Sequence, residues 1–459
     1  MALFAAKDSS VRPSKEAQVL VSLALVYLSN QWCRALLFST VNFGSDDAFR
    51  YANAALGLSE ADYALLGTLA FQVLFSFASL AAGAAVDKVD ARLASVVACV
   101  TWSVATAAIG LAGNSFETVA ALRALQGLAM AVTAPAGYSL LAKTFDSSKL
   151  ASANSAYAAA VSVGGALASA SVALDETIGW RSTFAVVGAI GIGIAFLAAA
   201  GLLLNDGGPE NNDQETRRSS AAALRKTEVD SSEESPFWSF LNNPATLFIF
   251  GTTAVRYCAG FTIAVFALPV FREKFPENAV EFGVAYAVTV AVFGSASAFA
   301  GGRLADIVAE RKIIKVWPFD RNPNAARAVV PCVGSALAAP LWLFATRTAP
   351  SLDFAILGLA LEFLVAECWI GTTAALLANE VPQTSRGFAQ GLFTALTIVG
   401  NLAPLAVGKV SEKGVFQVGD LVDCAVVAAY LLSSLGFAAT AAFLTEPPPP
   451  LRKDAMKSN

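Results

Sequence analysis

Gly83–Arg92 reads GAAVDKVDAR, and Gly302–Arg311 reads GRLADIVAER. Both are GxxxD followed by an arginine five residues after the aspartate, and each stands just beyond a long apolar run. A second pair of stretches extends the correspondence: LASANSAYAAAVSVGG (150–165) and RGFAQGLFTALTIVGN (386–401) each place an amide, Asn154 or Gln390, ten residues before a glycine, Gly164 or Gly400. A motif that recurs at matching places in two halves implies a duplicated architecture. The polar stretch at 205–243, rich in Asp, Glu, Ser and Asn, separates the copies and reads as a flexible linker. Ser231, Ser232 and Ser235 beside its acidic residues are phosphorylation candidates, with a plain solvated linker as the alternative.

The surrounding sequence belongs in a bilayer. The 459 residues are 56% hydrophobic and 14% charged, with a mean hydropathy of +0.59. Each crossing needs about 20 apolar residues. Twelve stretches qualify, at about 18–40, 62–86, 93–113, 117–142, 151–173, 183–204, 244–270, 281–301, 328–346, 353–378, 386–408 and 421–444. Most of the 31 Lys and Arg fall on segments that face one side if both termini are cytoplasmic, the loop after the eighth stretch being the richest. That loop carries topology information, with binding of anionic lipid as its sharper reading. The expected organisation is an all-α membrane protein: a cytoplasmic segment 1–17, a six-helix half 18–204, the linker 205–243, a second six-helix half 244–445 and a tail 446–459.

Five charges interrupt the apolar runs: Arg34, Arg123, Arg256, Glu362 and Glu367, on the first, fourth, seventh and tenth stretches. A charge at the bilayer centre costs at least ~2.5 kcal/mol, so these should line a wet cavity or pair with one another. Arginine grips phosphate or carboxylate bidentately, and three guanidiniums against two carboxylates favour an anionic substrate. Asn30, one turn from Arg34, is a candidate contact; Trp369, near Glu367, and Gln31, Gln72, Tyr157 and Tyr257 are candidate wall residues, with ordinary packing between helices as the alternative for these five. Arg123 has an alternative role as a structural tie. An Arg256–Glu362 salt bridge is geometrically possible at their similar depth. With no histidine in the chain, a proton switch falls to a carboxylate, Glu362 first and Glu367 second.

The signature-like loops and the motifs RALQG (123–127) and GWRSTF (179–184) resemble the major facilitator superfamily, whose loop motif is GxxxD(R/K)xGRR; Gly83, Asp87, Lys88 and Arg92 agree with it, whereas Asp90 and Ala91 depart. The resemblance implies twelve helices in two pseudo-symmetric halves, with helices one, four, seven and ten around the site. NQWCR (30–34), the fourth helix and Glu362 before Trp369 are further similar to the Spinster branch, which implies an anionic amphiphile such as a lysophospholipid or sphingoid phosphate and proton coupling. Cys33 and Met130 stand where that branch has acidic residues.

Gating is expected from the loop motifs. Asp87, with Gly83, Lys88 and Arg92, faces Arg386 at the start of the eleventh helix, and Asp306, with Gly302 and Arg311, faces Lys149 at the start of the fifth; a locally braced turn is the alternative. Small organic anions such as sugar phosphates or carboxylates are the alternative substrates, and a transport-dead sensor or scaffold is the alternative class. No cofactor, metal or nucleic acid is expected. The six cysteines form no CxxC pair, and no nucleophile with a base suggests an enzyme. A monomer in the plasma membrane or an endolysosomal membrane, with protons as candidate coupling ions, completes the expectation.

Overall fold

An apolar segment in lipid has no water for its amides, so each must close its hydrogen bonds internally as a helix. The computed structural model describes residues 15–85, 89–145, 147–203, 239–382 and 386–445. Segments 1–14 and 446–459, and the linker up to residue 238, lie outside these.

The N-terminal half comprises α1 (Lys15–Ser39), α2 (Glu60–Gly67 and Leu69–Ala85), α3 (Ala91–Ala112), α4 (Phe116–Met130 and Thr133–Thr144), α5 (Ser147–Ala170) and α6 (Val172–Leu203). The C-terminal half comprises α7 (Pro244–Lys274), α8 (Ala279–Thr289, a π turn Val290–Gly294, and Ser295–Glu310), α9 (Val329–Leu343 with the π turn Phe344–Thr348), α10 (Leu352–Ala366 and Trp369–Glu380), α11 (Arg386–Ala395, Thr397–Gly400 and Leu402–Ser411) and α12 (Val418–Phe443). Among the described residues 11 helices are long and apolar enough to span a membrane. The remaining member of the twelve, α5, runs for 24 residues but is apolar enough only over Ala156–Ala170.

The expected spans match these helices except at two ends. The sixth begins at Val172 rather than near 183, and the chain turns within it at Gly179, whose φ of 77° suits glycine. A Cβ there would lie 2.5 Å from the Phe49 carbonyl oxygen. The eighth continues to Glu310 instead of ending near 301.

The duplicated glycines mark equivalent close approaches. A Cβ on Gly164 would lie 2.4 Å from Leu28 O on α1, and one on Gly400 would lie 2.5 Å from Tyr257 Cβ on α7. Bare backbone lets α5 meet α1, and α11 meet α7, at the same place in each half. A further tight approach within a half is at Gly127 of α4, where a Cβ would sit 2.2 Å from Phe71 O. Gly127→Ala should cost about 1–3 kcal/mol by overpacking. The expected readout is a lower melting temperature in detergent, with no change for Gly165→Ala, where nothing lies within 4 Å.

Among the described residues the halves meet most closely at the end of the bundle opposite the linker, here the distal end. Gly408 of α11 lies against Glu60 and Ala61 of α2, and Gly283 of α8 against Val172 and Ser169. The Tyr63 hydroxyl donates to Val265 O across the interface. At mid-depth the halves are joined by Gln72 Nε2 to Thr397 Oγ1 (3.2 Å) and by the Ser162 and Ser295 hydroxyls (3.3 Å).

Candidate substrate site at the broken helices

Helices α4 and α10 are interrupted near mid-depth, and the first helix of each half supplies the donor that each break requires. In α4, Pro135 has no N–H for the carbonyl four residues earlier, so the helix pauses at Ala131 and Val132. Asn30 Nδ2 on α1 donates to Met130 O (3.4 Å) and to Thr133 Oγ1 (2.8 Å), and the Tyr157 hydroxyl of α5 donates to Thr133 O (2.9 Å). In α10, Arg256 Nη2 on α7 donates to Ala366 O (2.9 Å), the last residue before the break. Unwound backbone at membrane depth persists where protein or cavity water satisfies it, and such breaks are where transporters build their sites.

Arg123 is fully buried and fixed, donating through Nε to Leu66 O (3.1 Å) and through Nη1 to Arg34 O (2.8 Å) and Gln126 Oε1 (3.1 Å). It braces α4 against α1 and against the break in α2, the tie that its motif allowed. Arg34 differs. It is only half-buried, Nη2 donates to Gln72 Oε1 (3.3 Å), and its guanidinium lies 4.8 Å from the Phe71 ring centre and 5.5 Å from that of Phe75. Among the described residues no carboxylate pairs with it. Tyr27 and Tyr138, with ring centres 4.7 and 5.2 Å from that of Tyr157, continue an aromatic surface in the same half.

The C-terminal half has the opposite balance. Arg256 pairs with Glu367 (3.4 Å), in place of the Arg256–Glu362 bridge that depth allowed. The break in α10 is the reason: it turns Glu367 toward Arg256 while Glu362, a turn and a half earlier, accepts a hydrogen bond from the Tyr430 hydroxyl of α12. Glu362 is buried, with one oxygen lacking a partner, whereas the Glu367 side chain keeps 27% of its surface. Trp369 is buried rather than lining open space; Arg256 sits 5.3 Å from its ring centre and Tyr257 packs edge-on against it at 5.1 Å. Asn30 is also buried, its amide held at the α4 break and its Oδ1 by Gln31 (3.1 Å).

Of the gating residues, Asp87 and Lys88 lie outside the described residues. Gly83, Lys149 and Arg386 lie in α2, α5 and α11, with side chains outside what is described. Arg92 is in the first turn of α3, where Asp90 caps the helix by accepting from Arg92 N (2.9 Å). Asp306 is held within its own half by Arg327 (2.9 Å); the side chain of Lys149, its expected partner across the interface, lies outside the described residues. Arg327 ends the short Pro323–Arg327 helix and donates to Asn324 Oδ1 (3.0 Å), so the α8–α9 connection closes on itself. Gly302 faces open space and Arg311 is exposed.

The strongest ionic link between the halves among the described residues was not among the sequence expectations. Arg272 near the end of α7 meets Asp175 of α6 at 2.9 Å, both fully buried, and Glu176 at 3.6 Å; its Nη1 also donates to Val41 O (3.2 Å). The Tyr51 hydroxyl donates to Glu176 (2.7 Å), and Arg50 reaches the same carboxylate (3.2 Å). Burial, then the bond to Glu176, push the Tyr51 hydroxyl above its ordinary titration range, so it remains a donor at neutral pH. A second distal cluster joins Arg347 to Asp420 (2.5 Å) and Asp423, with Trp342 Nε1 donating to Asp423 (2.9 Å). These residues sit at helix ends, where sequence hydropathy reads them as loop charges; Asp next to Glu before GW was the one visible sign.

Comparisons with known proteins agree with this architecture. The family model described as Major Facilitator Superfamily matches residues 23–404. An MFS-type efflux pump of Mycolicibacterium smegmatis is 24% identical over 377 residues, 78% of this chain and 77% of that protein. The fold is similar to that of a bacterial homologue of the human lysosomal transporter Spinster in an inward-facing, unoccupied conformation, with a TM-score of 0.66 and 19% identity over 94% of this chain and 95% of that one. The xylose transporter XylE from E. coli, inward open, superposes with a TM-score of 0.60 and 13% identity over 91% and 95% of the two chains.

Proposed function

The chain belongs to the major facilitator superfamily, a multi-pass membrane transporter family, and from that premise we propose that it carries an anionic amphiphile across the bilayer by alternating access. The observation that carries the substrate class is Arg34: a half-buried guanidinium beside two phenyl rings, with a neutral glutamine as its hydrogen-bond partner. A phosphate or carboxylate supplies the missing negative charge, and the aromatic surface of Phe71, Phe75, Tyr27 and Tyr138 receives an apolar body. Lysophospholipids and sphingoid phosphates have this form. The Spinster-like fold supports the same class, as a likeness of architecture.

Glu367 is the coupling residue in this reading. It faces Arg256 and retains solvent access, so it can exchange a proton during the cycle, whereas Glu362 is enclosed by Tyr430. The distal end is closed, with Arg272, Asp175 and Glu176 as its latch, and the linker end is the cytoplasmic one. The protein acts as a monomer.

The test is uptake of labelled lysophospholipid into liposomes containing the protein, with and without an inward-acid gradient. Flux that the gradient raises supports the reading; protein shown to be folded but giving no flux above empty liposomes overturns it. Glu367→Gln should remove the response to the gradient while leaving exchange of labelled for unlabelled substrate at equilibrium. Loss of both activities would instead make Glu367 part of the substrate site.

A further inference from the structure

The connection after α8, residues 311–322, sorts its side chains into two faces. Ile314 and Phe319 pack inward against the hydrophobic clusters of the C-terminal half, and Pro318 is buried with them. Outward stand Ile313, Val316 and Trp317, which are 53%, 65% and 71% exposed, interleaved with the exposed cations Arg311, Lys312, Lys315 and Arg321. Three large apolar side chains among four cations at one end of a spanning bundle fit the headgroup level of a bilayer, where tryptophan is enriched. Cations at this level are attracted to an anionic leaflet.

Behind this face lies a pocket of about 380 Å³ lined by Lys312, Asp320, Arg321, Asn322 and apolar residues including Ile314 and Phe319. Arg321 is held in place by the Ala442 carbonyl at the end of α12. Two cations suit a phosphodiester, while the Asp320 carboxylate, unfavourable to a bare phosphate, accepts hydrogen bonds from hydroxyls. We propose that this connection is a lipid-binding site: the Ile313–Trp317 face enters the leaflet at the linker end, and the pocket holds an anionic phospholipid headgroup bearing free hydroxyls, of the glycerol or inositol type. The inference rests on the chain lying in a membrane and is independent of what it transports.

The test uses the full-length protein in nanodiscs and the part of the tryptophan fluorescence that disappears in Trp317→Phe. Brominated phosphatidylglycerol should quench that part at about tenfold lower mole fraction than brominated phosphatidylcholine. Lys312→Ala with Arg321→Ala should bring the two lipids level. Lys312→Glu with Lys315→Glu, both exposed, should do the same and guards against a folding defect from the loss of Arg321. Equal quenching by the two lipids in the unaltered protein, or a preference that survives both double variants, would overturn the proposal. So would competition by soluble glycerol phosphate at millimolar concentration, which would assign the pocket to a free phosphate ester.

Discussion

Arg34→Ala should lower transport of the anionic substrate about 100-fold while leaving the protein folded. The size follows from the interaction removed: a charge-assisted, bidentate grip on an oxyanion is worth about 3 kcal/mol once water is excluded, and each 1.4 kcal/mol is tenfold. Structural damage should be slight, because Arg34 is half-buried and its recorded hydrogen-bond partner, Gln72, also bonds Ser76 and Thr397. Arg34→Lys keeps the charge but loses the fork, so it should recover only part of the flux. Arg123→Ala, by contrast, should lower the melting temperature, since it leaves Leu66 O, Arg34 O and Gln126 without their donor. Equilibrium binding together with melting curves separates the two outcomes; an Arg34→Ala protein with unchanged affinity would sink the substrate assignment.

The second large effect belongs to the latch. Removing one partner of a buried ion pair leaves the other uncompensated at a cost of about 3–5 kcal/mol. In Arg272→Ala the stranded group is Asp175, which water reaches once the distal end opens. Relief by opening shifts the balance toward the distal-open form by about 100-fold or more. Ala61→Cys, placed under Gly408 at the closed interface, should then react with a membrane-impermeant maleimide far faster than in the parent, measured over the background of the six native cysteines. Arg272→Leu with Asp175→Leu should restore slow labelling, since an apolar pair needs no counter-charge. Equal labelling in all three proteins would mean that this pair does not hold the distal end shut.

How far the sequence could be read follows from where each charge stands. Arg34, Arg123, Arg256, Glu362 and Glu367 were visible because a charge inside an apolar run has few explanations, and the glycines at 164 and 400 because a repeated small residue marks a repeated contact. The partners were less legible. Choosing Glu367 over Glu362 for Arg256 depends on a break in α10 that no proline announces, whereas Pro135 does announce the break in α4. Arg272 and Asp175 escaped because each lies where an apolar run fades, and hydropathy cannot tell a helix end sealed against its partner from a loop in water. The repeat pointed Asp306 across the interface and did not disclose Arg327, the partner that holds it within its own half.

The donors that serve the two breaks differ in kind. At α4 the joint is held by a neutral amide, Asn30; at α10 it is held by Arg256, itself paired with a carboxylate. The two halves thus carry two pivots of one mechanical plan, and of these two described joints the one at α10 has a carboxylate within reach of its donor. If Glu367 carries the coupling proton as proposed, its protonation releases the Arg256 pair at the tenth helix and leaves the fourth untouched, so each stroke would begin on one side of the carrier. On that reading, a machine built of two repeated halves would take its sense of direction from the difference between an amide and a guanidinium.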